Sequence, residues 1–462
     1  MSETVKLVSP VDGSIYIERP LATTGEIAGA VAAGKAAQSD WAHVSIAERG
    51  KLCLAALEAL LAMGEEIVPE LAWQMGRPVR YGGEMGGVEE RARYMVELAE
   101  TALKDVVPAP KTGFTRYVKR VPVGLVLVIA PWNYPFLTAI NTIIPALMAG
   151  NAVILKHAAQ TLLVGERFQK AFDAAGLPKG LFQNIVLSHG QTEALLGSGD
   201  IDHINFTGSV AGGRAIERAA AGTFATMGLE LGGKDPALVR ADADLDYAIA
   251  NLVDGAFFNS GQCCCGIERI YVHESVYDRF VDGFVELTNQ YVLGNPLEEA
   301  TTLGPMAQAR FADWVREQTG EALRKGAKAM IDTSKYDLDK PGSPYIAPQV
   351  LTHVDHQMSV MREESFGPVV GIMKVHGDED ALPLMNDSPY GLTASIWTSD
   401  AEAAAAIGDR VETGTVFMNR CDYVDPGLVW TGVKDTGKGG ALSSIGYEHL
   451  TRPKSYHLKT AL

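Results

Sequence analysis

Residues 123–156 read VGLVLVIAPWNYPFLTAINTIIPALMAGNAVILK, and this stretch decides the fold. The run Val123–Ala130 is uninterrupted by polar side chains, which predicts a strand buried on both faces. Leu137–Leu147 carries apolar residues at helical spacing and is followed by Gly150, so it predicts a helix that ends at a glycine. Ala152–Leu155 predicts the next strand. A strand, a helix and a strand in this order indicate a parallel sheet.

The alternation of strands and helices continues along the chain. Further strands are predicted at Phe182–Leu187 and His203–Thr207, and a second alternating block runs over 236–433. This order predicts an α/β fold with a nucleotide-binding layer, although the fingerprint G-x-G-x-x-G is missing. The first hundred residues are expected to be helical, and 108–119 to form an exposed hairpin or linker.

The composition narrows the class of protein. A chain of 462 residues exceeds one ordinary core, so more than one domain is expected. The formal net charge of −16 argues against a nucleic-acid or anionic membrane partner, because binding phosphates needs basic surface. Five cysteines form no disulfide framework in so long a chain, and Met1–Ser9 has no apolar segment typical of a signal peptide. A reducing, cytoplasmic location is therefore expected.

Three of the cysteines are adjacent, in FFNSGQCCC at residues 257–265. A cysteine thiolate is a nucleophile, whereas an isolated free cysteine is more often a small buried hydrophobe. Neighbouring side chains on an extended chain point to opposite faces, so the run is not expected to share a metal ion. His353 and His356 have a chelating spacing without a third ligand, and no metal site is predicted.

Three other stretches have residue types suited to catalysis or binding. Asn133 lies between two prolines after a predicted strand, where it suits either an oxyanion donor or a helix cap. Glu230 precedes Gly232-Gly233 and suits either a general base or a surface charge. Glu364 and Phe366 suit either a ribose acceptor beside a flat ring, or an ordinary turn with a core phenylalanine.

Seven motifs, taken in order, carry a resemblance to a known family. They are Pro131–Phe136 (PWNYPF), Gly150–Lys156 (GNAVILK), Phe206–Ser209 (FTGS), Glu230–Lys234 (ELGGK), Gly261–Cys264 (GQCC), Glu364–Pro368 (ESFGP) and Phe417–Asn419 (FMN). The chain resembles the NAD(P)-dependent aldehyde dehydrogenase superfamily over nearly its whole length. The resemblance implies two Rossmann-like parallel-sheet domains plus an oligomerisation hairpin and strand.

The resemblance also implies a catalytic mechanism. The family pattern of Gly-Gln, one variable residue and the nucleophile selects Cys264. Its thiolate would attack the aldehyde, with the oxyanion held by the Asn133 amide and the Cys264 backbone N–H. Hydride transfer to the nicotinamide would leave a thioester, which water activated by Glu230 would hydrolyse to the acid. Cys263 and Cys265 would line the pocket, act as redox partners of Cys264, or simply pack.

The cofactor site follows from the same resemblance. It would involve six residues: Trp132, Lys156, Gly208, Ser209, Glu364 and Phe366. Lys156 would bind the adenosine ribose, Gly208 and Ser209 would lie near the pyrophosphate, and Glu364 would hold the nicotinamide ribose with Phe366 near the ring. The family's altered Rossmann sheet would explain the missing glycine fingerprint.

Two departures from the family pattern affect specificity. Ala159 stands where an acid commonly repels the 2′-phosphate of NADP, and His157 would favour a phosphate, so use of NAD or NADP is predicted. Asn141 stands where semialdehyde-specific members carry arginine, with Thr138 one turn earlier. This predicts a substrate with hydroxyl or carbonyl groups rather than succinate semialdehyde, unless these side chains face the interior; Trp430 would supply an apolar wall.

The resemblance divides the chain into three interleaved parts. Segments 1–107 and 123–231 would bind NAD(P), 232–446 would form the catalytic domain, and 108–122 with 447–462 would assemble a homodimer or homotetramer. Within the tail, alternating polar and aromatic residues are expected to pair with the hairpin.

Two alternatives to this function remain open at the level of the sequence. A CoA-acylating aldehyde dehydrogenase would transfer the acyl group to CoA, but such enzymes usually lack the base that Glu230 resembles. A catalytically silent aldehyde-dehydrogenase-like binding protein is disfavoured by the complete set of Cys264, Asn133 and Glu230.

Overall fold

The computed structural model describes residues 3–461; Met1, Ser2 and Leu462, which belong to the predicted segments 1–107 and 447–462, lie outside the described residues. The helices are α1 (Thr24–Trp41), α2 (Ile46–Leu61), α3 (Gly64–Met75), α4 (Met85–Ala102), α5 (Pro135–Ala149), α6 (Leu162–Ala174), α7 (His189–Gly197), α8 (Val210–Ala219), α9 (Leu245–Phe257), α10 (Tyr277–Thr288), α11 (Ala309–Arg324), α12 (Asp378–Asn386), α13 (Ala401–Gly408) and α14 (Ser443–His449). The strands are β1 (Thr4–Val8), β2 (Ile15–Pro20), β3 (Phe114–Pro122), β4 (Leu125–Ala130), β5 (Ala152–His157), β6 (Phe182–Asn184), β7 (His203–Thr207), β8 (Thr226–Glu230), β9 (Asp235–Val239), β10 (Ile267–His273), β11 (Lys328–Ala329), β12 (Gln349–Thr352), β13 (Val369–Val375), β14 (Thr393–Trp397), β15 (Thr415–Met418), β16 (Gly437–Lys438) and β17 (Thr451–Lys459).

The first sheet has six strands in the order β16-β8-β7-β4-β5-β6. Strands β4 to β8 run parallel, and β16 pairs with β8 in the antiparallel sense. The predicted parallel sheet is thereby confirmed. The helix expected at Leu137–Leu147 is α5, which begins at Pro135 and ends where Gly150 adopts φ 95°. Proline suits the first helical turn because its missing N–H would be unpaired there, and glycine tolerates the left-handed backbone that ends a helix.

The second sheet has seven strands in the order β11-β12-β13-β10-β9-β14-β15. Its strands are parallel except for β11, which pairs antiparallel with β12. The apolar central strands β9, β10 and β14 are buried. This is the covering on both faces that the alternating pattern of the second block predicts.

The N-terminal residues correct the expectation of an all-helical first hundred. Strands β1 and β2 form an antiparallel hairpin that precedes α1. The turn between them contains Gly13 with φ 77°, a conformation that glycine adopts without a Cβ clash. Only Leu7 of β1 contributes strongly to a buried core, so the short alternation lacked the apolar stripe that would have distinguished it from a loop.

The C-terminal tail pairs with β3, as the alternation of its residues predicts. Strand β17 runs antiparallel to β3 along its whole length, from Thr451 opposite Pro122 to Lys459 opposite Phe114. Residues 114–119 of the expected hairpin or linker belong to β3, and antiparallel bridges Lys111–Phe114 and Val106–Val118 fold the preceding residues back onto that strand. The stacked pairs Tyr117–Tyr456 and Phe114–His457 join the two strands on opposite faces of the ribbon, because Tyr456 and His457 are consecutive in β17.

Several of the predicted catalytic and cofactor residues lie at one edge of the six-stranded sheet, where its parallel strands end. Asn133 and Gly208 follow the carboxyl ends of β4 and β7, and Glu230 is the last residue of β8. In open α/β sheets ligands bind at this edge, because the loops that follow the strands leave a crevice there. Among residues 3–461, no helix has both the length and the apolar content needed to cross a membrane.

Candidate active site

The three cysteines follow a strained turn after α9. Asn259, Ser260 and Gly261 have φ values of 54°, 57° and 70°, so two non-glycine residues in succession adopt the left-handed region. Each costs about 1–3 kcal/mol unless surrounding contacts hold it. The Ser260 hydroxyl donates to the Gly304 carbonyl at 2.8 Å, and the Asn259 amide donates to the carbonyls of Asn133 and Gln262, each at 3.2 Å. The turn is thus fixed by the rest of the protein.

The three sulfur atoms lie together rather than on opposite faces. Gly266 N–H donates to the Cys263 carbonyl at 3.2 Å, which closes a turn over Cys263–Gly266. The Sγ atoms of Cys263 and Cys265 are 3.5 Å apart, and all three Sγ atoms lie within 4.8 Å of one another. The sequence expectation of divergent side chains is therefore wrong, because it assumed an extended chain.

Contacts within this cluster change the acidity of its thiols. Hydrogen bonds from Cys264 and Cys265 lower the pKa of the Cys263 thiol, since they stabilise its thiolate. Because Cys264 and Cys265 donate these hydrogen bonds to Cys263, the bonds raise the pKa of both donor thiols. These contacts favour the thiolate form of Cys263 over those of its two neighbours.

The turn that contains Asn133 is held by a buried ion pair. Arg77 Nη1 lies 2.7 Å from Glu84 Oε1, and Arg77 Nη2 donates to the Asn133 carbonyl at 2.5 Å. Glu84 Oε2 accepts the backbone N–H groups of Phe136 at 3.0 Å and Leu137 at 2.7 Å. No side chain of the helix's own caps α5 at its start, so Glu84 supplies the acceptor that the first turn requires.

The Asn133 side chain faces the same cavity as Cys264. Asn133 is buried, with its backbone carbonyl held as described, and it lines a cavity of about 270 Å³ that also contains Cys264. A buried side-chain amide on a backbone held in this way can donate to an oxyanion beside the sulfur. Asn133 and Cys264, both predicted to be catalytic, therefore line one cavity.

Glu230 lies at the end of β8. It lines the cavity that contains Asn133 and also a second cavity, which lies on the other side of Cys264. Its Oε2 accepts the Thr207 hydroxyl at 3.1 Å, while its buried Oε1 is without a partner among the described residues. Burial raises the pKa of this carboxyl to about 7. The following loop touches the cysteine turn: a Cβ added at Gly233 would lie 2.5 Å from the Cys264 carbonyl oxygen. Glycine therefore allows the base and the thiol to approach.

The cavity of about 270 Å³ that contains Asn133 and Cys264 has the features of a dinucleotide cleft. Of the six predicted cofactor residues, five line it: Trp132, Gly208, Ser209, Glu364 and Phe366. The Trp132 ring stacks on Phe311 at 5.4 Å and meets Phe366 edge-on at 5.7 Å. These flat walls suit an aromatic heterocycle.

One end of this cleft is suited to phosphate. Ser209 caps α8, its hydroxyl accepting the Gly212 N–H at 3.2 Å, and Gly208 precedes it. The free N–H groups and the dipole at a helix start attract an anion. The residues present therefore fit a nicotinamide dinucleotide.

Glu364 and Phe366 are positioned by a second buried ion pair. Glu268 accepts the backbone N–H groups of Ser365 and Phe366 at 2.8 and 2.9 Å, and pairs with Lys234. Phe366 has φ 49°, a left-handed conformation that these bonds stabilise. Glu364 accepts the Gly233 N–H at 2.9 Å, and burial raises its pKa to about 8.

The sixth predicted cofactor residue lies apart from these five. Lys156 is the penultimate residue of β5 and is buried, and burial lowers its pKa. His157 beside it is buried, bonded to the Pro135 carbonyl at 3.2 Å and the Thr161 hydroxyl at 3.1 Å, and burial lowers its pKa to about 4. The suggested phosphate role of His157 is therefore corrected, since a neutral, inward ring cannot attract the anion. Ala159 is exposed.

The smaller cavity, of about 210 Å³, lies on the other side of Cys264 and Glu230. Thr138, Asn141 and Trp430 all line it, as expected of a substrate pocket. Arg91, which the sequence did not indicate, also enters it from α4. In the described chain both hydrogen-bond acceptors of Arg91 are neutral, Asn141 Oδ1 at 3.1 Å and the Leu137 carbonyl at 3.3 Å.

Acidic residues line the same cavity. Burial raises the pKa of Asp422 to about 7 and raises the pKa of Asp254. The cavity thus combines hydrogen-bond donors with carboxyl groups around an apolar wall.

The sequence did not indicate six residues that hold or line the site, and all but Asn259 come from segments distant from the quoted motifs. They are Arg77, Glu84, Arg91, Asn259, Phe311 and Trp314. The Gly-Arg-Pro at 76–78 is a turn signal, but nothing near it indicates that the arginine reaches Asn133. Asn259 alone stood inside the quoted cysteine motif.

Comparisons with known proteins identify the family of this chain. The model of the "Aldehyde dehydrogenase family" matches residues 1–456. An aldehyde dehydrogenase of Paenarthrobacter nicotinovorans is 33% identical over 98% of this chain and 99% of its own length. A succinate-semialdehyde dehydrogenase [NADP(+)] of Mycobacterium avium is 31% identical over 98% of this chain and 96% of its own. The crystal structure of PnpE in complex with nicotinamide adenine dinucleotide superposes with TM-score 0.94 at 30% identity, covering 100% of this chain and 95% of PnpE.

Proposed function

Because the chain belongs to the aldehyde dehydrogenase family and is an NAD(P)-dependent aldehyde dehydrogenase, we propose that Cys264, Asn133 and Glu230 carry out its reaction. The observation that carries the proposal is that Cys264 and Glu230 line both cavities, one suited to a dinucleotide and one to an aldehyde. A reaction between two ligands needs its catalytic groups at such a junction.

The Cys264 sulfur adds to the aldehyde carbon, and the carbonyl oxygen takes the displaced electron pair. The Asn133 amide and the Cys264 backbone N–H donate to that oxyanion, and one such donor is worth about 3 kcal/mol in the transition state. The Cys264 thiol loses its proton to water before the S–C bond forms, because the thiolate is the nucleophile.

When bound, NAD(P)⁺ would supply the hydride acceptor through which the Cys264 adduct is oxidised to a thioester. Trp132 and Phe366 would flank the nicotinamide, Ser209 and Gly208 would face the pyrophosphate, and Glu364 and Lys156 would hold the two riboses. Support comes from the aromatic walls and the helix start described above. Gly232 leaves room for the Glu364 carboxylate, because a Cβ at this position would lie 2.4 Å from Glu364 Oε2.

Glu230 then acts as the general base of hydrolysis. Its unpaired Oε1 accepts a proton from water, and the new hydroxide attacks the thioester carbon, releasing the acid and the Cys264 thiolate. A pKa of about 7 suits this role near neutral pH, where proton affinity and the ionised fraction are balanced.

The substrate pocket favours an aldehyde whose tail carries hydroxyl or carbonyl oxygens. Arg91 supports this substrate class, because its buried guanidinium has only neutral acceptors and can donate to a further oxygen. Thr138 and Asn141 add polar groups to the same wall, and Trp430 packs against the carbon chain.

The domain roles, the assembly and the location follow the family resemblance. Segments 1–107 and 123–231 bind the cofactor, 232–446 supplies catalysis, and 108–122 with 447–462 assembles a homodimer or homotetramer. An isolated two-stranded ribbon is marginal in water, so β3 and β17 need a further partner; light scattering of the purified chain would reveal a monomer if this is wrong. Five free cysteines support a cytoplasmic location.

The test of the function is acid formation from a panel of hydroxylated, oxo, alkyl and aromatic aldehydes, with each cofactor, with and without CoA. Acid without CoA is expected. Acyl-CoA would support the CoA-acylating alternative, and no product would support a silent binding protein. Cys264→Ala should abolish activity, whereas Cys53→Ala, at a buried thiol away from the site, should retain it.

A further inference from the structure

The most unusual feature outside the reaction itself is the closeness of three free thiols. We propose that Cys263, Cys264 and Cys265 form a binding site for a thiophilic divalent metal ion, with Zn²⁺ as the biological case. All three are free, and Cys264 is partly exposed to the cavity that Cys263 and Cys265 also line. The ion would occupy the nucleophile, so bound enzyme is held inactive. The inhibition rests on the proposed role of Cys264; the binding does not.

The sulfur positions match the geometry of zinc. Zn²⁺ binds thiolates at about 2.3 Å in a tetrahedron, so two sulfur ligands lie about 3.8 Å apart. The Sγ atoms of Cys263 and Cys265 are 3.5 Å apart and all three Sγ atoms fall within 4.8 Å, so small side-chain rotations suffice. Thiolates are the ligands that select soft and borderline ions.

The backbone preorganises this arrangement. The left-handed Asn259 and Ser260 and the turn closed by Gly266 direct consecutive side chains to one side, which an extended chain would not do. These residues are buried and hydrogen-bonded to distant segments, so the three sulfurs approach without a large entropic cost on binding.

The surroundings supply charge and space. Asp254 and Asp422 line the same cavity and, when ionised, favour a cation, whereas the positive charge of Arg91 in that cavity opposes it. That cavity, of about 210 Å³, has room for a water molecule as fourth ligand, since one water occupies about 30 Å³. A tetrahedral site of three sulfurs and one water is therefore complete.

The chemistry balances without an oxidant. Each S–H bond breaks as an S–metal bond forms, the protons leave to water, and no electron is transferred. The sulfur lone pair of Cys264 that would attack an aldehyde is then held by the ion. A chelator reverses the process, whereas a disulfide would need a thiol.

The binding test is a titration of the reduced full-length protein with Cd²⁺, whose absorption with thiolates reports the number of sulfur ligands. One ion per chain is expected, with the absorption reduced by about a third in each of Cys263→Ala, Cys264→Ala and Cys265→Ala. Cys53→Ala and Cys421→Ala are the matched controls and should bind as the wild type does. Zn²⁺ should displace the Cd²⁺ absorption.

The inhibition test compares enzymatic activity at increasing Zn²⁺, relative to each variant's own activity without metal. Cys263→Ala and Cys265→Ala should need at least about tenfold more Zn²⁺, because each loses one ligand. Unchanged Cd²⁺ absorption and unchanged inhibition in both variants would mean capture by one thiol alone and would overturn the site. Cys263→Ser and Cys265→Ser replace any alanine variant that does not fold. If three-thiolate binding persists while Cys264→Ala stays active, the proposed function fails and the metal site stands.

Discussion

Arg77 and Glu84 form an ion pair in the interior, with Nη1 2.7 Å from Oε1 and both side chains almost fully buried. The pair joins the end of α3 to the start of α4. Arg77 donates to the Asn133 carbonyl, and Glu84 accepts the Phe136 N–H on the other side of the turn. Neither residue lines a cavity that contains Cys264. Their role is therefore to position the oxyanion donor, and this role can be tested separately from stability.

Glu84→Gln should lower kcat about tenfold while changing the KM for the aldehyde little. The uncharged amide leaves Arg77 without its counter-ion, the Asn133 carbonyl shifts, and the side-chain amide no longer meets the oxyanion, which weakens a transition-state contact only. Steady-state kinetics measure the split. Glu89→Gln, in an exposed pair with Arg93 on the same helix, is the control and should be neutral. A rise in KM with unchanged kcat would contradict the positioning role.

Glu230→Gln should separate the two halves of the reaction. The variant retains a rapid burst of reduced cofactor, because thioester formation does not use the base, but its steady turnover falls roughly 10²- to 10⁴-fold. In the wild type, turnover should fall as the pH is lowered through about 7, since the carboxylate must be ionised to act. Stopped-flow absorbance measures both. Loss of the burst would show instead that Glu230 acts before the thioester forms.

The same substitution should stabilise the protein at alkaline pH. The pKa of Glu230 is about 7 in the folded chain against 4.5 as the ordinary value, so the unfolded chain loses this proton first and folding stability declines as the pH rises between these values. At about pH 8 the penalty is about 3 kcal/mol, and at about pH 4 it is absent. Glu230→Gln should therefore raise the melting temperature only at the higher pH. Equal shifts at both pH values, or any shift in the exposed Glu217→Gln control, would argue against burial as the cause.

Ala159→Glu should convert the enzyme toward NAD. Ala159 is exposed next to β5, and a carboxylate there would repel a 2′-phosphate while accepting a bond from the free ribose hydroxyl. The kcat/KM with NADP should fall about tenfold or more, and that with NAD should change little. The ratio of the two, measured at subsaturating cofactor, is the readout. A wild type that already prefers NAD by several hundredfold would remove the basis of this prediction.

Arg91→Gln should act selectively on oxygen-bearing substrates. The variant loses the charged hydrogen bond from Arg91 to the substrate oxygen, so the KM for hydroxylated or oxo aldehydes should rise about tenfold. The KM for alkyl aldehydes of equal length should rise less. Arg91 also lowers the pKa of Glu230. Its replacement should therefore raise that pKa and move the acid limb of the pH profile to higher pH. Arg93→Gln, exposed on the same helix, is the control. An equal loss for every aldehyde would mean that Arg91 only supports the wall.

The sequence by itself determined the alternating strands and helices, because their periods and their punctuation by proline and glycine are local. Val123–Ala130, Pro135 and Gly150 were sufficient for the first β-α-β unit. The ordered motifs were equally sufficient to select Cys264 as the expected nucleophile.

Only the tertiary structure decided how these pieces face one another. Glu84 reaches the start of α5 across more than fifty positions, and β17 reaches β3 from the other end of the chain. Nothing local in the sequence encodes such contacts, because they arise when distant segments pack and satisfy each other's buried polar groups. The cysteines illustrate the same limit within three residues. Their convergence depends on a left-handed turn that Arg77, Gly304 and Asn133 hold in place from elsewhere in the fold.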